Sequence, residues 1–375
     1  MKPILRTLAV LLASTACFAQ TPGARFYVAP NGDDTASGAN PAADAAPNGD
    51  DSASGANPIA DAAPQDGPLA TLDGARAAVR RLIETKGLPA GGVEVLLRGG
   101  TYPVETAVRF EAADAGRDDA PVVYRAVPGE AVILSGGRTV GGFAPVSDPD
   151  ALARLSPDAA PHVLQADLRA AGIAEFGTAS DGTLQVYFRG QAMTLSRWPD
   201  EGFVKIAGLV EKDGHQIHGI PGSLTGKFHY EEDRPAGWVG EKDAWLHGYW
   251  FWDWSDQRQK IAAILPDTKA IELTPPYHSY GYRVGQWYYA FNLLCELDRP
   301  GEWFVDREKG LLFFWSPETP GEGDVMVSKA DAAAVFADAS HVTLRGLVFE
   351  GFRGTVVSVS GGEGVRVSGC TFRNG

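Results

Sequence analysis

The feature that most constrains this chain lies at its C-terminal end. VTLRGLVFEGF (342–352) realigns on VRVSGCTFRNG (365–375) at an offset of 23 residues. Val342 falls on Val365, Leu344 on Val367, Gly346 on Gly369, Leu347 on Cys370 and Phe349 on Phe372. Between the copies, Thr355-Val356-Val357-Ser358-Val359 is another short run rich in β-branched residues. Three strands in roughly two dozen residues cannot bury their apolar positions within one repeat, whereas stacking one repeat on the next can. That is the pattern of a parallel β-helix. A β-sandwich hairpin or a chance match would align the same two segments, so those alternatives stay open here.

Upstream, short strands separated by Gly and Asp turns are expected at Val93–Leu97, Ala107–Phe110, Val122–Ala126 and Val132–Leu134. Gly accounts for 45 of 375 residues with no G-x-y period, which excludes a collagen-like chain and fits many tight turns. Ahead of these strands Thr71 caps a helix carrying Leu72, Ala75, Val79, Leu82 and Ile83 on one side, and Gly87 closes it. Arg76, Arg80, Arg81 and Glu84 take the other side. One amphipathic helix followed only by strands suits the open end of a stacked sheet, where it covers unpaired edges.

The stretch 147–325 differs. It is Trp-rich, hairpin-like and without the 23-residue period. Glu302-Trp303-Phe304-Val305, a turn over Asp306–Gly310 and Leu311–Trp315 read as a hairpin, with Gly310 available for positive φ. The expected class is therefore all-β. A capping helix and the first coil or coils occupy 71–146, an antiparallel β domain is inserted over 147–325, and incomplete coils fill 326–375.

The N-terminus reads as an export signal over 1–19. Lys2 and Arg6 form a positive region, an apolar core opens at Leu8, and Ala16-Cys17-Phe18-Ala19 offers a cut after Ala19. The localisation expected is secreted or periplasmic; a lipoprotein acylated at Cys17 is the alternative, disfavoured by Ser14 where an apolar residue is usual. Cleavage removes two cations and takes the net charge from −14 to −16. Residues 20–70 then hold a strand, Arg25-Phe26-Tyr27-Val28, and a tandem duplication. PNGDDTASGANPAADAA (30–46) is followed by PNGDDSASGANPIADAA (47–63). The unit lacks apolar periodicity and cannot offset its ordering entropy, so 30–63 reads as a disordered surface loop copied once.

Composition excludes several classes. Hydrophobic residues at 44% and charged residues at 21% are globular usage, not disorder. An acidic chain without a basic stripe is a poor nucleic-acid partner, and no later segment is apolar enough to span a membrane. There is no CxxC, HExxH, Walker loop, GxSxG or GxGxxG, so zinc, nucleotide and serine-hydrolase chemistry lack motif support. No metal or cofactor is expected. The two cysteines beyond the signal, Cys295 and Cys370, sit in apolar strand-like contexts and read as buried thiols.

Longer motifs occur in order along the chain: FYVAPNGDD, GPLATLDGARAAVRRL, LLRGGTY, APVVYRAVPGEAVILSGG, SRWPDEGF, WLHGYWFWDWSD, PPYHSYGYRVGQWYYAFNLLCELDRPGEWFVDREKGLLFFW and HVTLRGLVFEG. In these the chain resembles the exported right-handed parallel β-helix proteins of the pectate-lyase-like superfamily, and within it glycoside hydrolase family 141 and its relatives. The resemblance runs from about residue 25 to 375, apart from the duplicated loop and 150–180. It implies a right-handed helix of many coils and fucosidase- or xylanase-like action on plant or algal polysaccharide. It also implies that the catalytic carboxylates sit on coils beyond Gly375, so that this chain is the N-terminal part of a longer protein.

Glycoside hydrolysis needs two carboxyl groups flanking the bond, one with a raised pKa. The acidic residues near aromatics are Asp253, Asp256, Glu296, Asp298, Glu302 and Asp306. Asp306 and Asp298 read first as turn or ion-pair residues. Asp253, between Trp252 and Trp254, is the catalytic candidate, with hydrogen bonding within the fold as its other reading. Trp245, His247, Tyr249 and Phe251 share one strand face and Trp250, Trp252 and Trp254 the other. Either face is a sugar platform or a packing surface, since aromatics dominate both. Tyr277, His278, Tyr280 and Tyr282 form a second cluster. His247 and His278 are candidate acids or hydroxyl donors, Arg197 a candidate partner for a uronate carboxylate, and Trp250, Trp252, Trp254 and Tyr280 candidate stacking residues. A polysaccharide or oligosaccharide is the expected partner. A non-catalytic glycan-binding module and a polysaccharide lyase are the competing functions.

Overall fold

The structure, a computed structural model, describes residues 21–40, 67–181 and 184–375. The expected signal segment 1–19 with Cys17, and residues 41–63 of the duplicated loop, lie outside them.

Three parallel sheets receive one strand each in turn. Val93–Leu97, Gly100–Pro103 and Val108–Phe110 make one circuit; Val122–Ala126 and Val132–Ser135 start the next, which Ala334–Ala337 completes. Val342–Arg345, Leu347–Glu350 and Val357–Ser360 follow, then Arg366–Ser368 and Thr371–Arg373. Every strand pairs in parallel with its counterpart one circuit earlier: Val95 opposite Tyr124, Tyr124 opposite Leu344, Leu134 opposite Phe349 and Phe110 opposite Phe336. Ala24–Val28 opens the first sheet beside Val93–Leu97.

The sequence offset of 23 is the pairing register itself. Ala334 lies opposite Val357, Leu344 opposite Val367 and Phe349 opposite Phe372, one pair in each sheet. Parallel pairing removes the hairpin reading of these segments. Inward rings stack as the strands do. Phe110 and Phe336 have centroids 4.7 Å apart and planes 11° off parallel; Phe349 and Phe372 are 4.9 Å apart at 11°. Those distances equal the spacing of neighbouring strands, about 4.7–4.9 Å.

Helix Leu72–Lys86 closes the first circuit, burying Leu72, Ala75, Ala78, Val79 and Leu82 in the core that holds Phe26, Val28, Val95 and Phe110. Thr71 Oγ1 accepts from the Gly74 amide at 2.9 Å, and Gly87 ends the helix at φ 79°. On the cationic side Arg81 stays exposed, but two arginines are engaged. Arg80 forks onto the fully buried Asp114 carboxylate at 2.8 and 2.6 Å, and Arg76 stands 3.6 Å from it. The helix is thus clamped to the segment that follows Val108–Phe110.

One expectation needs correction here. Residues 30–40, the start of the duplicated unit, are not a disordered loop. Asp34 accepts from the Ala70 and Thr71 amides and the Thr71 hydroxyl at 2.8, 2.9 and 2.6 Å, bracing the helix start. Composition reports apolar burial, and this segment is held by polar bonds instead.

The chain leaves the stack after Ser135. Gly137–Thr139 and Val325–Ser328 form an antiparallel stem, joined on its other edge by Val186–Phe188. Beyond it lie a five-stranded sheet and an eight-stranded sheet with their own cores. The hairpin expected at 302–315 pairs Trp303 with Phe314 and Asp306 with Leu311, with Gly310 at φ 72° and Asp306 capping the turn by accepting from the Lys309 amide at 2.9 Å. Its first residue, Glu302, is buried. The Asp298 amide donates to Oε2 at 3.1 Å, Arg299 stands 3.6 Å from Oε1, and Oε1 has no hydrogen bond among the described residues. Burial pushes this carboxyl up to about 7.

Two outcomes follow. Phe336→Ala removes a fully buried ring from the stack and lowers unfolding free energy in urea by about 3–5 kcal/mol; Val239→Ala, outside the stack and 61% exposed, changes it by less than about 0.5 kcal/mol. Equal losses at both sites refute the stack as the main support. For Glu302 the native pKa lies above its unfolded value, so its protonated form stabilises the fold at low pH and that stability is lost as pH rises through about 7. Glu302→Gln therefore matches wild type below about pH 4 and exceeds it by a few kcal/mol near pH 8. Parallel stability–pH curves for the two proteins exclude this role.

Candidate functional site

The eight-stranded sheet carries Trp287–Phe291 between Trp245–Gly248 and Arg197–Trp198, with Gln257–Leu265 beyond. Side chains alternate along a strand, so Tyr288 and Ala290 enter the aromatic core while Trp287 and Tyr289 turn to the other face, where Phe291 is covered. Pairing sets Trp245 opposite Phe291 and His247 opposite Tyr289; on the next strand Lys260 faces Trp245 and Arg258 faces His247. Tyr249 extends the row. Phe203, from the preceding loop, lies edge-on to Tyr249, Trp287 and Tyr289 at 6.0, 6.0 and 5.6 Å. Phe203 is 42% and Trp287 38% exposed. The result is one outward face of aromatic rings edged with cations.

His247 sits at the centre of that face, 5.1 Å from Tyr289 and nearly parallel to it. Its Nε2 is 3.5 Å from the Asp256 carboxylate, and its Nδ1 is buried without a partner among the described residues. Burial lowers its pKa against the pull of Asp256, leaving the ring neutral at pH 7. Arg197 lays its guanidinium 3.9 Å over the Tyr289 ring and donates to the Pro199 and Gly202 carbonyls at 2.9 and 2.7 Å.

The row runs into a cleft of about 670 Å³ beside Trp245. Asp243 organises its wall, receiving the Trp245 indole N–H at 3.0 Å, Lys260 at 3.1 Å and Arg307 at 3.4 Å. Lys242 and Lys309 stand at its rim.

The second aromatic group lies on the loops after Gly248 and Leu273. The extended strand read through 245–254 stops at Gly248, so the expected alternation of Trp250, Trp252 and Trp254 does not exist. Trp250 folds back instead, its indole close enough that a Cβ on residue 248 would sit 2.8 Å from it. It is fully buried, donates to the Gln257 carbonyl at 2.9 Å and packs on Phe228 and Tyr282. Trp250 is therefore a core residue and not a stacking platform. Trp252 is half-buried against Phe251 with Arg283 above it at 5.7 Å. Trp254 is 68% exposed and meets Tyr280 at 5.5 Å, edge to face. His278 is buried, with Nε2 3.2 Å from Ser255 Oγ.

Among the carboxylates, Asp253 is exposed and bonded by Gln286 at 3.3 Å with Arg283 at 3.8 Å, a surface pairing and not an enclosed acid. Arg234 forks onto Glu296 and reaches Asp298 at 2.7 Å; the Trp238 indole also bonds Glu296 at 2.5 Å. Trp287 and Phe203, which build the exposed platform, are not site candidates in the sequence, and Asp256, named there only as a carboxylate near aromatics, proves to reach His247. Only the alternation of QWYYAF, which sends Trp287 and Tyr289 to one face, was there to be read.

Among the described residues no helix is long and apolar enough to cross a membrane. No family model matches the chain, and no curated protein matches it. Among solved structures, one described as "Glycoside hydrolase" superimposes with a TM-score of 0.62 at 17% identity, covering 88% of this chain and 51% of its own. Another, "The complex structure of XylC with xylose", gives a TM-score of 0.37 at 11% identity, over 88% and 36%. The chain spans about half the length of the first. The likeness is one of fold: an all-β chain with a glycoside-hydrolase-like architecture.

Proposed function

We propose that this chain is the glycan-binding N-terminal part of an exported glycoside hydrolase, built on a right-handed parallel β-helix with the Trp-rich domain inserted in it. Its substrate is a plant or algal polysaccharide, and the carboxylates that cut the bond belong to further coils. The observation that carries the reading is the outward aromatic face. Exposed Trp287 and Phe203 offer flat apolar surface to the C–H faces of sugar rings, and Lys205 and Arg258 at its edges donate to hydroxyl or carboxylate oxygens. The row leads into the cleft at Trp245, so an extended chain has a continuous path. Asp306 caps a turn and Asp298 and Asp253 pair with arginines, which favours catalysis elsewhere in the protein over these three. A lyase is disfavoured because Arg197 spends two of its nitrogens on backbone carbonyls.

Titration calorimetry with pectic, xylan and fucosylated oligosaccharides tests this. Wild type binds at least one class, and Trp287→Ala weakens binding by about tenfold or more without lowering Tm. Binding to none of the panel, or unchanged affinity in Trp287→Ala, refutes it. Reducing-sugar release by the longer gene product separates the hydrolase from a non-catalytic binding module.

A further inference from the structure

Ser255 and His278 lie on different loops of the inserted domain, one after Trp245–Gly248 and the other after Ala270–Leu273. Ser255 Oγ is 3.2 Å from His278 Nε2, and His278 Nδ1 is 3.3 Å from the Gly281 carbonyl oxygen. A carbonyl oxygen only accepts, so Nδ1 carries the proton, and in the neutral ring Nε2 presents its lone pair to the serine hydroxyl. The base is held from below. Its amide donates to Tyr282 Oη at 3.3 Å, and the buried Tyr282 in turn donates to Gln259. The Gly281 amide closes the turn back onto the His278 carbonyl at 2.9 Å. Ser255 is fixed by its own amide on the Trp252 carbonyl at 3.1 Å. Trp254 and Tyr280 stand exposed beside the pair, with Tyr280 5.7 Å from the imidazole. Burial keeps the histidine pKa below its usual value, so the base form is present at pH 7.

We propose that Ser255 and His278 form a nucleophile–base pair that hydrolyses acyl esters, with Trp254 and Tyr280 receiving the sugar that carries the acyl group. Ser255 Oγ bonds to the ester carbonyl carbon as its proton passes to His278 Nε2. The tetrahedral adduct then breaks its bond to the sugar oxygen, which leaves with that proton. Water attacks the acyl-serine, giving a proton to His278 that returns to Ser255 Oγ as the carboxylic acid departs. The choice of a sugar ester rests on the glycan reading above; the serine–histidine chemistry does not.

The test uses the full chain, a fluorophosphonate probe with peptide mapping, p-nitrophenyl acetate, and acetylated xylan and acetylated pectin. The expected result is an adduct on Ser255, ester turnover at least about 100-fold lower in Ser255→Ala and His278→Gln, and acetate release from one polymer. Oligosaccharide affinity at the Trp287 face, measured in the same Ser255→Ala protein, stays at the wild-type value and shows that the variant is folded. No adduct, with turnover unchanged in Ser255→Ala, overturns the pair. An adduct and p-nitrophenyl acetate turnover without acetate from either polymer overturns the sugar ester as substrate.

Discussion

Everything in this molecule hangs on like stacking over like at the spacing of adjacent strands. Phe110 under Phe336 and Phe349 under Phe372 each hold their rings one strand separation apart and nearly parallel. Backbone ladder and side-chain stack then demand the same register, and neither can slip without breaking the other. The agreement persists across the insertion. Phe336 meets Phe110 although the whole Trp-rich domain lies between them in sequence, because the stem formed by Gly137–Thr139 and Val325–Ser328 returns the chain close to where it left. Closing a long loop costs only slightly more than closing a short one once its ends are pinned.

The inserted domain follows a different rule. Its large sheet buries one face and presents the other, so alternation along Trp287–Phe291 sorts rings between core and surface. The same composition that fills its core with Trp238, Trp250 and Phe228 also furnishes the outward row of Trp287, Tyr289 and Tyr249. Arginines act as packing elements as much as charges: Arg197 lies flat on Tyr289 of that row, and Arg283 lies over Phe251 and Trp252 in the second aromatic group.

Buried carboxylates divide by partner. Asp114 is enclosed but doubly engaged by Arg80, and it ties the helix to the stack. Glu296 sits in the fork of Arg234, and Glu241 is paired with Arg154. Glu302 has one amide and a guanidinium 3.6 Å away; burial raises the pKa of both Glu296 and Glu302, that of Glu302 to about 7. Among the described residues, Asp114, Glu241 and Glu296 each meet a guanidinium inside the fold, which offsets the cost of enclosing a carboxylate.

What the sequence determined by itself was whatever depends on neighbours in the chain or on a fixed period. The helix with its Thr71 cap and Gly87 stop, the strands at Val93–Leu97 and Val122–Ala126, the Gly310 hairpin and the 23-residue register were all legible there. Only the tertiary structure decided where a strand stops and which side chains then meet. The aromatic run 245–254 looked like one strand because each residue favours β structure, yet pairing ends at Gly248 and Trp250 turns inward, where its area is worth more buried than displayed. Ser255 and His278 touch because two loops are anchored to one core, and Asp34 reaches Thr71 across the duplicated loop. Such contacts are set by distances through space between segments far apart in the chain, which no local propensity or period encodes.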